Sequence, residues 1–251
     1  MKSTQDVLLG WKRHGLSLLN WTYGHLPFLS EFLSIQTKAT AVLRAWHLVS
    51  RNGTPGDYLE FGVFRGDTFK LAIRAARSSF GGAYQGRFFA FDSFEGLPDV
   101  ASLAEPENVF NQAEYACSEA DFRRAIASTA RGTNVQVVKG WFDRTLTPAL
   151  RDELGLREVA IANIDCDLFE STVPCLEFIA PLVQNGTIVM FDDWYLMRGS
   201  MKRGEAQAAE QWLRQNPHIR LVPLQHYGVA GQSFIVNISE QDSPFYCHDV
   251  R

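Results

Sequence analysis

Val159-Ala160-Ile161-Ala162-Asn163-Ile164 runs straight into Asp165-Cys166-Asp167, and Thr187-Ile188-Val189-Met190-Phe191 runs straight into Asp192-Asp193. Short apolar runs rich in β-branched residues read as strands buried on both faces, the pattern of a parallel sheet. Ligands of an open α/β sheet bind beyond the carboxyl ends of such strands. Both runs therefore deliver acids to one rim. Carboxylates brought that close cannot all stay ionised without a counter-charge, and a divalent cation held by oxygen ligands supplies one.

Working back along the chain, the turn signal Asn52-Gly53-Thr54-Pro55-Gly56 precedes the strand Asp57-Tyr58-Leu59-Glu60-Phe61. Gly62-Val63-Phe64-Arg65-Gly66-Asp67 follows, then a helix from about Thr68 to Arg77, so strand, glycine turn and helix succeed one another as in a nucleotide-type fold. The next strand, Arg87 to Phe91, ends at Asp92-Ser93, and the stretch from Glu95 to Ser118, with Gly96, Pro98 and Pro106, reads as a long loop or lid. Helical periodicity returns at Glu119 to Ile126, and the strand Val135 to Val138 ends at Lys139-Gly140-Trp141. Beyond Asp167 the spacing predicts a helix from about Ser171 to Val183, in whose first turn Pro174 is tolerated. Another helix is expected from about Glu205 to Arg214, and Arg220–Leu224 with Ser233–Asn237 form a closing antiparallel hairpin. Alternating strands and helices give an α/β class, a doubly wound Rossmann-like sheet, over residues 51–251.

Residues 1–50 form a helical preface, with Trp11, Trp21, Tyr23, Phe28, Phe32 and Trp46 at amphipathic spacing. Packing on the sheet edge accounts for such aromatics. Their apolar excess also suits a segment that closes over the site or joins two subunits into a homo-oligomer.

Composition narrows the class of function. At 251 residues, 46% hydrophobic and 21% charged, the chain is long and apolar enough for a substantial core. A formal net charge of −4 gives no electrostatic reason to expect nucleic acid or an anionic membrane as partner. Cys117, Cys166, Cys175 and Cys247 show no CxxC spacing, which favours reduced thiols and a cytoplasmic setting over a zinc site or a disulfide framework. Polar Asn20, His25 and Glu31 interrupt the leucine-rich amino terminus before an apolar span forms, so neither a signal peptide nor a membrane helix is expected. The histidines fall in no HxH or HExxH pattern and read as packed or surface residues.

Several positions at strand ends carry chemistry. Glycines after a buried strand let backbone amides approach a ligand, and the acid Glu60 at the strand tip accepts hydrogen bonds from an ammonium or a ribose. The turn is not GxGxxG, and Gly62 and Gly66 serve equally well to make it tight. Asp92, ending the next strand, sits where an acid meets ribose hydroxyls, with Ser93 adding a hydroxyl; an Asp-Ser pair also caps turns. Trp141 after Gly140 walls a ligand cleft or fills the core. Asp165, Asp192 and Asp193 suit a hard cation such as Mg²⁺, which prefers carboxylate and water oxygens. Successive strand residues face opposite ways, so not all of these acids need face the cation, and Asp167 is left out of the ligand set, with capping of the following helix as its alternative role.

Taken in order, Leu59–Gly66, Phe91–Pro98, Gly140-Trp141-Phe142, Ile164–Thr172 and Phe191-Asp192-Asp193-Trp194 resemble the macrocin O-methyltransferase family, some of whose members methylate sugar hydroxyls of macrolide and aminocoumarin antibiotics. The resemblance covers about Leu59 to Leu213. It implies a class I fold using S-adenosylmethionine and Mg²⁺ on a small hydroxylated acceptor such as a glycoside. On that resemblance Glu60 and the Gly62-Val63 turn hold the methionine end of the cofactor, and Asp92 with Ser93 holds its ribose beside Gly140 and Trp141. Asp165 becomes metal ligand and general base, and Asp192 and Asp193 complete the protein ligands. The chain departs from the family at Cys166, where a small residue is usual, at Asp67, where a glycine is common, and at Trp194, where tyrosine is frequent.

The chemistry so implied is a direct displacement: a metal-bound hydroxyl loses its proton to Asp165 and its oxygen attacks the sulfonium methyl in line. Two other classes compete. A metal-dependent glycosyltransferase would use Asp165-Cys166-Asp167 as a DxD motif, leaving Glu60, Asp92 and Asp192-Asp193 without a joint role. A catalytically silent binder of S-adenosylmethionine would have no use for the intact carboxylate set.

Overall fold

The computed structural model describes residues 27–98 and 115–238. In chain order the elements are α1 (Pro27–Asn52), β1 (Asp57–Phe61), α2 (Asp67–Ser79), β2 (Phe88–Asp92), α3 (Glu119–Ala130), β3 (Val135–Lys139), α4 (Phe142–Thr145), α5 (Pro148–Glu153), β4 (Val159–Ile164), α6 (Phe169–Ile179), β5 (Ile188–Phe191), α7 (Gly204–Gln215), β6 (Ile219–Tyr227) and β7 (Gly231–Ile238). The strands build one seven-stranded sheet in the order β3-β2-β1-β4-β5-β7-β6. Strands β1 to β5 run parallel, whereas β7 pairs antiparallel with both β5 and β6. The order reverses between β1 and β4, so their carboxyl ends flank the crevice where such sheets bind ligands.

Strand character decides the placement. Every residue of β1, β4 and β5 is buried, as continuous apolar runs require when helices cover both faces. Strand β6 lies at the edge, where proline is tolerated, and its register shifts between Pro223 and Gln225. The closing hairpin expected from the sequence is present, but its second strand inserts beside β5 and its first becomes the edge.

Two apolar cores sandwich the sheet. On one face α1, α2 and α3 bury Trp46, Phe69 and Phe122 against Tyr58 and Phe88. On the other, α6 and α7 bury Phe178 and Trp212 against Phe61, Phe91 and Phe191. Helix α1 presents Ala41, Val42, Ala45, Trp46 and Val49 inward, a stripe at helical spacing, and Trp46 is wholly enclosed. None of the described helices is long and apolar enough to cross a membrane. Cys117, Cys166 and Cys175 are free thiols, while Cys247 and the residues 1–26 of the preface lie outside the described residues. Most of the expected lid, residues 99–114, lies outside them as well.

Two local expectations need correction. The helix after β4 starts at Phe169, two residues before the expected Ser171, because both the amide and the hydroxyl of Thr172 bond back to the Leu168 carbonyl. Pro174 therefore lies inside the helix rather than in its first turn, and one backbone ladder bond is missing there. Asp167 does not cap this helix: Leu168 is the N-cap and makes no side-chain capping bond. The short helices α4 and α5, between β3 and β4, are not legible as elements in the sequence.

Candidate active site

Gly62 sets the spacing of the rim. Its φ is +84°, and a Cβ there would lie 1.8 Å from the Asp165 carbonyl oxygen, so the ends of β1 and β4 approach this closely only because the residue has no side chain. The Gly62 amide donates to the Phe91 carbonyl and the Asp165 amide to the Phe61 carbonyl, each at 2.9 Å, which knits β2, β1 and β4 together at their tips.

Asp92 holds the turn that follows. Its Oδ2 accepts from the amides of Val63 at 2.7 Å and Phe64 at 3.3 Å, and its Oδ1 accepts from the Phe94 amide at 2.7 Å. Burial raises its pKa, opposed by these three amides. The Ser93 hydroxyl is engaged in its own turn, donating to the Gly96 carbonyl and accepting from the Glu95 amide, both at 3.1 Å. Gly140 anchors the end of β3 through a 2.9 Å bond from its amide to the Asp92 carbonyl, and Trp141 opens α4 beside it.

Glu60 is almost fully enclosed, at 1% exposure, and receives a hydrogen bond from the Tyr58 hydroxyl two residues back on the same face of β1. Burial pushes its pKa up to about 8, Tyr58 pulls it down, Asp165 pushes it up further and Lys38 opposes. With no ligand bound, Glu60 is therefore mostly the neutral acid at pH 7.

Three acids converge beyond β4 and β5. Asp165, Asp192 and Asp193 each offer one carboxylate oxygen, and these oxygens lie within 4.8 Å of one another. A hard divalent cation suits such a donor set. Asp167 stands behind the trio: its backbone is left-handed, with φ at 63°, and its carboxyl is hydrogen-bonded to that of Asp193. Two carboxyl groups joined in this way share a proton. Burial, with Asp193 opposing, pushes the pKa of Asp167 up to about 7, and burial together with Asp167 raises that of Asp193 well above the usual carboxylate range.

Two contributors escape a reading of the sequence. Lys38 of α1 reaches 2.9 Å from Asp165 Oδ2 and 2.9 Å from Asp192 Oδ2. Burial alone would lower its pKa, but the two carboxylates outweigh burial and raise it, so the side chain is a permanent cation. A signal exists, since Lys38 falls on the same helical stripe as Ala41, Val42 and Ala45, where a charge needs a partner. Glu205, in the first turn of α7 and 1% exposed, accepts the Asp193 amide on Oε2 at 2.9 Å. Nothing local marks it, because its partner comes from another loop.

Glu60, Gly62, Val63, Asp92, Ser93, Gly140, Trp141 and the three acids all line one cleft of about 940 Å³ along the carboxyl edge of the sheet. A smaller cavity of about 250 Å³ adjoins the acids, walled by Leu196 and the β6–β7 turn at Gly228, Val229 and Ala230. The cleft is large enough for a nucleoside-bearing cofactor and the side cavity for an acceptor group, with Asp192 and Asp193 on the wall of both.

Known proteins share this arrangement of sequence. The chain is 31% identical over 152 residues to an 8-demethyl-8-(2,3-dimethoxy-alpha-L-rhamnosyl)-tetracenomycin-C 4'-O-methyltransferase of Streptomyces olivaceus, covering 58% of this chain and 56% of that one. It is 30% identical over 151 residues to a demethyldecarbamoylnovobiocin O-methyltransferase of Streptomyces niveus, covering 58% and 55%. The matched region thus spans about half the length of these curated relatives. Among solved structures, the O-methyltransferase NovP superposes with a TM-score of 0.62 at 23% identity over 79% of each chain, which supports the fold. A sequence profile of macrocin O-methyltransferase (TylF) matches residues 35–219, well over half of the chain. With this match over most of its length, including the strand-end acids and the glycine turn, the chain belongs to the macrocin O-methyltransferase family.

Proposed function

We propose that this protein is an S-adenosylmethionine- and Mg²⁺-dependent O-methyltransferase that acts on a hydroxyl of a sugar or a glycosylated natural product. The observation that carries the proposal is the meeting of three acid oxygens within 4.8 Å at the side of a cleft that also holds Glu60 and Asp92. Family membership, the rhamnosyl-bearing substrate in the name of the Streptomyces olivaceus relative and the natural-product name of the Streptomyces niveus one support the acceptor class. The glycosyltransferase alternative loses support because the acid trio draws on Asp192 and Asp193, while Asp167 is engaged with Asp193.

When bound, the cation would acidify the acceptor hydroxyl and the cofactor would supply the electrophilic methyl group. The chain's own residues do the rest. Glu60, once ionised, receives the ammonium of the methionine moiety, and the Asp92-clamped turn presents Gly62 and Val63 to it. Asp92 retains lone pairs for ribose hydroxyls, with Trp141 as the cleft wall. Asp165, Asp192 and Asp193 hold the cation, and Asp165 takes the proton of the acceptor hydroxyl. Leu196 and Val229 exclude water around the acceptor in the side cavity. The preface of residues 1–50 contributes helix α1, whose Lys38 faces the acids; we assign its remaining part to covering the site or to a subunit contact.

Calorimetry with S-adenosylhomocysteine tests the cofactor assignment. Binding with a rise in melting temperature is expected, and a protein that binds a nucleotide sugar but not this ligand refutes the methyltransferase reading.

A further inference from the structure

We propose that Lys38 is an internal counter-ion that occupies the cation position between Asp165 and Asp192 in the metal-free protein and must leave it for a divalent cation to bind. This inference rests on the metal reading above and adds a competitor to it. Its ammonium lies 2.9 Å from one oxygen of each aspartate, and the same two residues supply two of the three oxygens that converge for a cation. A compact, strongly hydrated point charge on a flexible four-carbon stem resembles a small metal ion in the contacts it makes. A cation bound at about 2.1 Å to those oxygens would face the ammonium across a shared carboxylate edge, where two positive charges repel strongly.

The surroundings explain why the chain needs such a device. Glu60 and Asp167 line the same cleft as the trio, and Glu205 accepts the Asp193 amide at 2.9 Å, so acids gather on this rim. Lys38 is the only basic side chain in ion-pair contact with Asp165 or Asp192 among the described residues. It reaches them from α1, a helix fixed in the core by Trp46, so the metal-free rim stays ordered and paired. Loading then exchanges one cation for another at Asp165 and Asp192.

The test measures metal affinity itself, without turnover. Mn²⁺ binding to the full chain is followed by electron paramagnetic resonance in the wild type, Lys38→Met, Lys38→Arg and Lys139→Met, the last removing one exposed charge away from the trio. Lys38→Met is expected to bind Mn²⁺ at least tenfold more tightly than the wild type, with Lys38→Arg and Lys139→Met within about threefold of it. Equal or weaker binding by Lys38→Met overturns the competition while leaving the metal reading intact. Failure of both wild type and Lys38→Met to bind Mn²⁺ overturns the metal reading, and this inference with it. Should Lys38→Met not fold, the wild type decides alone: acetylation of Lys38 by acetic anhydride, read by mass spectrometry, should speed up at least fivefold on adding Mg²⁺ to chelator-treated protein. An unchanged or slower rate overturns the inference.

Discussion

The two halves of the rim solve opposite problems. At the ends of β1 and β2, Asp92 accepts from three backbone amides and Gly62 removes a clash, so the turn is finished before any ligand arrives. At the ends of β4 and β5, Asp165, Asp192 and Asp193 face one another with a single lysine between them, and Asp193 and Asp167 share a proton. The first half is preorganised by hydrogen bonds, whereas the second is left electrostatically unfinished. A scaffold that orients a large cofactor benefits from rigidity, and the cation site proposed above benefits from unmet charge.

The largest effect should come from the unfinished half. Asp165→Asn should lower turnover by roughly 10²- to 10⁴-fold, the usual contribution of a positioned general base, and added Mg²⁺ should not restore it. Asp193→Ala should lose activity in low Mg²⁺ and recover part of it at high Mg²⁺. Steady-state rates across a Mg²⁺ series decide the matter, and a fully active Asp165→Asn enzyme would erase the contrast between base and mere ligand.

Next comes the finished half. Asp92→Ala leaves the amides of Val63, Phe64 and Phe94 without their acceptor, a loss of about 1–3 kcal/mol. Cofactor affinity and melting temperature should therefore fall together. A variant that loses affinity at unchanged melting temperature would show that Asp92 serves the ligand alone and that the turn holds itself.

A pH-dependent effect sharpens the boundary between the halves, where Glu60 stands. Its folded pKa of about 8 lies above its ordinary 4.5, so the folded protein holds a proton that the unfolded chain releases. That contribution to stability is complete below pH 4.5, declines as the pH rises towards about 8, and is flat above. In metal-free, ligand-free protein, Glu60→Gln should reduce this decline by up to a few kcal/mol. Melting curves from pH 4 to 9 read it. An identical pH profile in the variant would place the titration on Asp167, whose pKa is also raised, to about 7.

Much of the cleft is legible in the sequence, for a physical reason. Strand runs, the glycine turn and acids at strand ends are local patterns, and the rule that parallel sheets bind ligands at their carboxyl ends turns local pattern into a shared place. Asp165, Asp192 and Asp193 follow that rule and meet at one rim. Asp167 escapes it, because alternation along a strand says nothing once the chain leaves the strand in a left-handed conformation. The early start of α6 hangs on two bonds to the Leu168 carbonyl, from the amide and the hydroxyl of Thr172, a detail finer than periodicity resolves.

By itself the sequence determined the α/β class, the order of the strands along the chain and the residue types gathered at the rim, since each follows from hydrophobic period and turn chemistry over a few neighbouring residues. Only the tertiary structure decided which charges meet. Lys38 and Asp165 stand 127 positions apart and pair because α1 packs over β1 and β4, while the Asp193 amide finds Glu205 because α7 returns beneath the loop. Strand β7 slips between β5 and β6 because it is the more deeply buried of the closing pair, leaving the largely exposed β6 to form the edge. Such partners are chosen by packing over the whole molecule, where an unpaired buried charge costs more than any local preference can offset.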